Sequence, residues 1–172
     1  MRAILGLSLV AVTACSSGLT TVPSTTVPAT QVAQTIPAIS PEVAADLRAR
    51  AFVIGCKDIA CEGQPIFASD IIPQEVRVRI QNLLASEVSY LTDEEASEIS
   101  GPPNAGIQPG LGAWIGVEEV EGTERPDVVS VMTYVNGPGR NMGTQTLFQW
   151  NGEEWVQVAA DDVGLTVITA VP

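Results

Sequence analysis

The chain has 172 residues, enough for one domain with short appendages, and 20 acidic against 8 basic residues give it a formal net charge of −12. The basic residues are scattered, so phosphate backbones and anionic lipid headgroups would be repelled, which argues against nucleic-acid binding and against membrane attachment through surface charge. Because the sequence contains no histidine, it excludes Ser-His-Asp and Cys-His catalysis and H-E-x-x-H zinc chemistry.

The N-terminus has the layout of a secretory signal peptide. Arg2 supplies a positive charge, residues 3–12 form an apolar run, and small residues precede Cys15. Ten helical residues span only about 15 Å, roughly half the hydrocarbon core of a bilayer. The pattern therefore predicts a signal peptide over residues 1–14 rather than a transmembrane helix.

The segment Val12-Thr13-Ala14-Cys15 resembles the lipobox of bacterial lipoproteins, with Val12 where Leu is most common. The resemblance implies cleavage before Cys15 and acylation of this residue, with diacylglycerol on its sulfur and palmitate-type chains. Two or more acyl chains suffice for stable anchoring, so the expected location is extracytoplasmic, on the cell membrane or the outer membrane. The alternative is an ordinary signal peptide with a chance cysteine after its cleavage site.

A spacer follows the lipid-accepting cysteine. Residues 16–41 carry no charge and are rich in Ser and Thr, with prolines at 23, 28 and 37. Such spacing forbids a continuous helix and offers no core-forming period. We interpret residues 15–39 as the lipidated cysteine with a disordered tether, reaching at most about 75 Å at polyproline-like rise, and residues 40–172 as a single extracytoplasmic domain.

Helical patterns come first in this domain. Ser40 as N-cap and Pro41 at the first helical position open one helix, with Gly55 as its expected end; residues 51–54 could instead form a short buried strand. A second helix begins at Pro73 and ends near residue 86. After a short strand over 88–91, Thr92 begins a capping box and one or two further helical turns.

Residues 100–112 are rich in proline and glycine and predict a loop, after which the apolar period changes to two. One strand is expected to begin with residues 113–117. Further strands are expected over residues 128–135, 144–150, 154–159 and 165–171. Asn151-Gly152 predicts a two-residue type I′ turn that sets Phe148 opposite Trp155 and Leu147 opposite Val156. The expected fold is α+β, with two or three N-terminal helices on an antiparallel meander of about four to six strands.

This order of elements and the terminal hairpin (Gly152, Trp155, Val156, Val158) resemble small extracytoplasmic domains of uncharacterised bacterial lipoproteins. The resemblance implies no active-site residues. Leu47, Ile80, Leu83, Leu147 and Val156 are expected to form the core.

The remaining cysteines, Cys56 and Cys61, are separated by four residues. In an exported protein such a pair predicts a structural disulfide that closes a short loop. A redox-active dithiol typically has the C-x-x-C spacing, and a zinc site needs further ligands.

Acidic residues offer the only other chemistry that the sequence suggests. They cluster at 93–98, at 118–127 and at 161–162, and we interpret them as solvated surface, with a weak divalent-cation site as the alternative. The sequence thus predicts no catalytic residue, no bound metal and no cofactor.

The expected function is that of a membrane-anchored lipoprotein with a non-catalytic binding or structural domain, whose partner is an envelope protein or a small ligand. A partner-binding surface is expected around Trp114, Tyr134 and Trp150. The alternative is a small envelope enzyme or a divalent-cation-binding domain that uses acidic residues.

Overall fold

Six strands of the domain form one sheet, in the order β2-β1-β3-β4-β5-β6. The computed structural model describes residues 35–58, 61, 63–100, 112–137 and 140–167, which belong to one compact unit, Gln34–Pro172. The elements are α1 (Pro41–Asp58), β1 (Ile66–Ser69), α2 (Gln74–Leu83), β2 (Val88–Leu91), α3 (Asp93–Ser100), β3 (Ala113–Gly122), β4 (Val128–Gly137), β5 (Arg140–Trp150), β6 (Trp155–Val158) and α4 (Ala160–Val163).

The fold is α+β as predicted, but the sheet is mixed rather than antiparallel. Strands β3 to β6 form the predicted meander, whereas β1 pairs in parallel with both β2 and β3. Strand β1 was not predicted from the sequence; it has four residues and lies between a loop and a helix. Helix α2 connects β1 to β2, and a helical crossover returns the chain to the same end of the sheet, which makes these two strands parallel.

Helix α1 begins as predicted, because Ser40 Oγ accepts a hydrogen bond from the Val43 backbone N–H at 3.2 Å. It continues past Gly55 to Asp58, so both the predicted end and the alternative strand over residues 51–54 are wrong. Gly55 lies inside the helix for a packing reason. A Cβ there would stand 2.7 Å from Thr133 Cγ2, so this glycine allows α1 to approach β4 closely.

The main core lies between α1, α2 and one face of the sheet. Alternate residues of β3, namely Ala113, Ile115 and Val117, are buried on this face. Ile36 and Ile39, from the segment predicted as tether, also pack against the core. Of the five predicted core residues, Leu47, Ile80 and Leu147 are buried.

The two other predicted core residues, Leu83 and Val156, are not buried. Leu83 is the last residue of α2 and is 50% exposed, and Val156 is half-buried on β6. Leu147 belongs to a smaller cluster with Val128 and Val163, on the opposite face of the sheet from the main core.

The β5–β6 hairpin differs from its prediction by two residues. Trp150 pairs with Trp155, so four residues form the turn instead of two. The Asn151 side-chain oxygen accepts hydrogen bonds from the backbone N–H groups of Glu153 and Glu154, both at 2.9 Å, and this Asx-type geometry replaces the type I′ turn. Phe148 therefore lies opposite Gln157, and Leu147 lies opposite Val158.

The C-terminal prediction of a strand from residue 165 is wrong for residues 165–167, and the rest of it falls outside the described residues. A short helix, α4, precedes this segment and ends at Val163, and Gly164 caps it with a φ of 67°. The Leu165 N–H bonds to the Ala160 carbonyl at 3.0 Å and the Gly164 N–H bonds to the Asp161 carbonyl at 3.3 Å. These bonds form a Schellman motif, which fixes the chain direction after α4. Within the described ranges, no helix is long and apolar enough to cross a membrane.

Candidate functional site

The predicted lipidation residue, Cys15, and residues 15–34 of the tether lie outside the described residues. The predicted disulfide partners do come together. Cys56 lies near the end of α1, and the Cys61 N–H donates to the Cys56 carbonyl at 3.2 Å. Both side chains are buried and the structure holds them as thiols, without a disulfide. The hydrogen bond to Cys56, together with burial, raises the pKa of the Cys61 thiol.

A cleft of about 510 Å³ lies between the first half of α1 and the β5–β6 turn. We call it the α1–hairpin cleft; its lining includes Glu42, Asp46, Arg50, Arg79, Trp150 and Trp155. The two tryptophans face each other across the hairpin, with ring centroids 5.8 Å apart and planes tilted by 53°. The two-residue shift of the hairpin register creates this pair, because it sets these two residues directly opposite each other.

Trp150 lines this cleft, and its indole has an unused hydrogen-bond donor. Its Nε1 atom is buried and has no hydrogen-bond partner in the described part of the chain. A buried donor without an acceptor costs about 1–3 kcal/mol. Because this atom is shielded, a ligand would recover that free energy by shifting the Trp150 ring so that an acceptor reaches the N–H.

Arginine and carboxylate side chains surround the tryptophans. The Arg50 guanidinium donates to the Trp155 carbonyl at 2.8 Å and lies 4.9 Å from the Phe148 ring centroid. Its ion pair with Asp46 is 3.7 Å long, and so is the pair between Arg79 and Glu42. Ion pairs of this length and exposure contribute little stability, so a polar ligand can compete for either partner.

The predicted aromatic surface does not exist as one patch. Trp114 and Tyr134 alternate with buried core residues on β3 and β4, so they lie on the face of the sheet opposite α1. Trp150 packs against the main core on the α1 face. The sequence pattern predicted that Trp150 belongs to a partner-binding surface, but it could not place this residue beside α1, which is about a hundred positions earlier in the chain.

The acidic residues at 118–127 do not form one cluster. Between Val117 and Val120, two residues of β3 stand opposite one residue of β4, which forms a β-bulge. Glu119, one of the two, meets Arg48 of α1 at 2.7 Å. At the β3–β4 turn, Asp127 accepts hydrogen bonds from Arg125 and Gln149, which lower the pKa of its carboxyl to about 2.

The acidic residues at 93–98 have the predicted role of a helix N-terminus. Thr92 and Glu95 form the predicted capping box, with the Thr92 N–H donating to Glu95 Oε2 at 2.8 Å and the Glu95 N–H donating to Thr92 Oγ1 at 3.2 Å. Across the described ranges, no group of three or more Cys, Asp or Glu residues is arranged to hold a metal ion.

Comparisons with protein-family models, with curated proteins and with solved structures find no match to this chain.

Proposed function

We propose that this chain is a lipid-anchored protein of the bacterial envelope, whose α+β domain binds a ligand or a protein partner in the α1–hairpin cleft without catalysing a reaction. The observation that carries the binding role is the buried Trp150 indole N–H, which has no acceptor in the described part of the chain. The cleft volume of about 510 Å³ lies within the usual range of small-molecule sites.

The anchoring role rests on Val12-Thr13-Ala14-Cys15 and on the uncharged spacer after it. A surface with a formal charge of −12 is repelled by anionic lipids, so attachment requires a covalent anchor. The tether would hold the cleft away from the bilayer, where partners in the envelope can reach it.

The anchor is tested by Cys15→Ala in cells that produce the full chain. We expect the wild type to sediment with membranes and to carry acyl mass on Cys15, and the variant to remain in the soluble fraction. Cys61→Ala is the matched control, because it removes a cysteine from the domain and leaves the anchor intact. A Cys15→Ala variant that stays on membranes, together with a wild type without acyl mass, would refute the anchor.

The cleft is tested by Trp150→Phe, which keeps an aromatic ring and removes the indole donor. A photo-crosslinking residue at position 153, on the cleft rim, should trap the bound partner in cells, and native mass spectrometry of the purified chain should detect a small ligand. We expect Trp150→Phe to reduce occupancy about two- to tenfold, the value of one neutral hydrogen bond. Trp114→Phe, on the other face, should retain full occupancy, and equal occupancy in the two variants would contradict the proposal.

A further inference from the structure

The charges in the α1–hairpin cleft indicate the sign of the ligand that it binds. Its described lining contains four carboxylates and two guanidinium groups, and both guanidinium groups are already paired. Arg50 pairs with Asp46 and also donates to the Trp155 carbonyl. Arg79 pairs with Glu42. The two remaining carboxylates give the cleft an excess of negative charge.

These two carboxylates, Glu153 and Glu154, belong to the β5–β6 turn. Both residues are exposed, and neither forms an ion pair within the described residues. Their backbone positions are fixed, because the Asn151 side chain accepts both of their N–H groups at 2.9 Å and the Asn151 N–H donates to the Glu154 carbonyl at 3.1 Å. An Asx-type turn therefore holds two unpaired carboxylates on the rim of the cleft.

Trp150 adds an aromatic surface beside these carboxylates. It is half-buried and lines the cleft. Because its Nε1 atom is shielded, the side-chain surface that it presents consists of ring carbon. Trp155 is only 5% exposed and packs against it with ring centroids 5.8 Å apart, which restricts the orientation of the Trp150 ring. The face of an indole carries partial negative charge and attracts cations.

From this combination we propose that the α1–hairpin cleft binds an arginine side chain of a polypeptide partner, whose guanidinium stacks on Trp150 and pairs with Glu153 and Glu154. A guanidinium suits both features, because it is planar, stacks on aromatic faces and donates two parallel hydrogen bonds to a carboxylate. The cleft already contains a related contact, since the Arg50 guanidinium lies 4.9 Å from the Phe148 ring centroid. Arginine is enriched in protein–protein interfaces, and the net charge of −12 would steer a basic partner toward this chain.

The test compares three capped pentapeptides that carry arginine, citrulline or lysine between alanines. Citrulline has the shape of arginine without its charge, and lysine has the charge without the planar group. Each peptide is titrated into the isotope-labelled full chain in detergent at about 0.1 M salt, and the indole N–H signals are followed by NMR. The arginine peptide should shift the signals of Trp150 and Trp155 and leave Trp114 unchanged. It should bind about tenfold more tightly than the citrulline peptide, as expected for one exposed cation–π contact and one exposed ion pair.

Substitutions in the cleft should weaken the binding of the arginine peptide. Glu153→Gln and Glu154→Gln should each weaken it about two- to fivefold, the value of an exposed ion pair, and Trp150→Leu should weaken it about two- to fivefold through loss of the aromatic face. Glu94→Gln is the matched control, an equal charge change in the first turn of α3. Helix α3 adjoins β2, at the opposite edge of the sheet from β6, so its charges are screened from the cleft and this variant should bind as the wild type does.

Circular dichroism shows whether each variant is folded. If Trp150→Leu unfolds, the double substitution Glu153→Gln, Glu154→Gln decides, and it should remove the preference for arginine over citrulline. Equal binding of the arginine and citrulline peptides would overturn the arginine assignment, as would the absence of binding or a shift of the Trp114 signal alone. Equal binding of the lysine peptide would replace the guanidinium by cations in general. Ethylguanidinium that binds as tightly as the arginine peptide would replace the polypeptide by a small guanidinium compound.

The arginine assignment rests on the proposed function, because it names the partner chemistry of the same cleft, but the two can fail separately. Crosslinking from position 153 in cells replaces Glu153 and leaves Glu154 to pair with the arginine. If this crosslinking depends on Trp150 while the peptides show no preference for arginine, the cleft binds a ligand of another class and only the arginine assignment is wrong. If crosslinking and peptide binding are both independent of Trp150, the cleft itself is wrong as the binding site.

Discussion

Asp127 connects the β3–β4 turn to its surroundings through three side-chain bonds, two from Arg125 and one from Gln149, and its own carbonyl accepts the Trp150 N–H at 2.9 Å. These bonds require the ionised carboxylate and lower its pKa from 3.8 to about 2. A depressed folded-state pKa contributes stability that is present above the unfolded value and is lost as the pH falls toward the folded value. The stabilising contribution should therefore disappear between about pH 4 and pH 2.

We expect Asp127→Asn to lower the free energy of unfolding at pH 7 and to remove this part of the acid dependence. Urea unfolding from pH 7 to pH 2 should show the wild type and the variant converging below pH 4. Asp162→Asn changes the same charge in the first turn of α4 without removing any side-chain hydrogen bond that the structure describes, so its curve should stay parallel to the wild type. A constant difference between Asp127→Asn and the wild type at every pH would contradict the assignment.

The ion pair between Glu119 and Arg48 is a contact that the sequence around Glu119 did not predict. Glu118 and Glu119 are the two residues of the β-bulge between Val117 and Val120, where the alternation of faces along β3 is interrupted. Glu119 meets Arg48, which is 7% exposed and also bonds to the Val117 carbonyl. The Glu119 side chain is 75% exposed, so the interpretation of residues 118–127 as solvated surface holds for it, whereas its ion pair with Arg48 of α1 has no signal in the local sequence.

At the scale of the element, the contact of α1 with β4 depends on Gly55. An added Cβ would lie 2.7 Å from Thr133 Cγ2 and 3.2 Å from Val135 Cγ2, and both atoms belong to stiff β-branched side chains. Gly55→Ala gains up to about 1 kcal/mol of helix propensity, whereas overpacking typically costs about 1–3 kcal/mol. We expect a net loss of about 1 kcal/mol in urea unfolding.

A double variant separates these two contributions. Thr133→Ser removes the methyl group that an alanine at position 55 would strike, so Gly55→Ala should be neutral or stabilising in the Thr133→Ser background. The two changes should therefore be strongly non-additive. If Gly55→Ala costs the same free energy in both backgrounds, the close approach of α1 to β4 does not explain this glycine.

Elements with a strong local signal were predicted well. The N-terminus of α1, the start of α2 and the capping box of α3 depend on side chains within one helical turn, and the structure confirms them. Residues 113–117 of β3 and 131–135 of β4 carry a period of two because alternate residues are buried against the main core. In contrast, β1 and the hairpin register depend on pairing partners elsewhere in the chain, and a local pattern contains no information on these partners.

At the scale of the whole molecule, the α1–hairpin cleft arises from long-range packing, because it joins residues of α1 to residues of the β5–β6 hairpin. Trp150 was visible in the sequence as a residue type, but its neighbours were not. The lipid anchor is the opposite case, because its prediction depends on four consecutive residues and requires no knowledge of the fold.

The location of the whole molecule determines whether Cys56 and Cys61 can form a disulfide, and a disulfide would add to its stability. Export would move this buried, hydrogen-bonded thiol pair into an oxidising compartment. We predict that a thiolate of the pair attacks the disulfide of an envelope thiol oxidant and forms a mixed disulfide. The second cysteine then attacks this mixed disulfide, which forms the Cys56–Cys61 bond and releases the oxidant as a dithiol that carries the two electrons.

Because the ring is short, the resulting disulfide should stabilise the domain by at most about 2 kcal/mol. The double substitution Cys56→Ser, Cys61→Ser should lower the Tm by several degrees and leave the circular dichroism spectrum near native, since buried side chains such as Leu47 and Ile80 supply most of the stability. Alkylation of natively exported protein should label the two cysteines only after reduction. Labelling of both without reduction would disprove the disulfide, and complete unfolding of the double variant would show that the cross-link contributes far more than a short ring should.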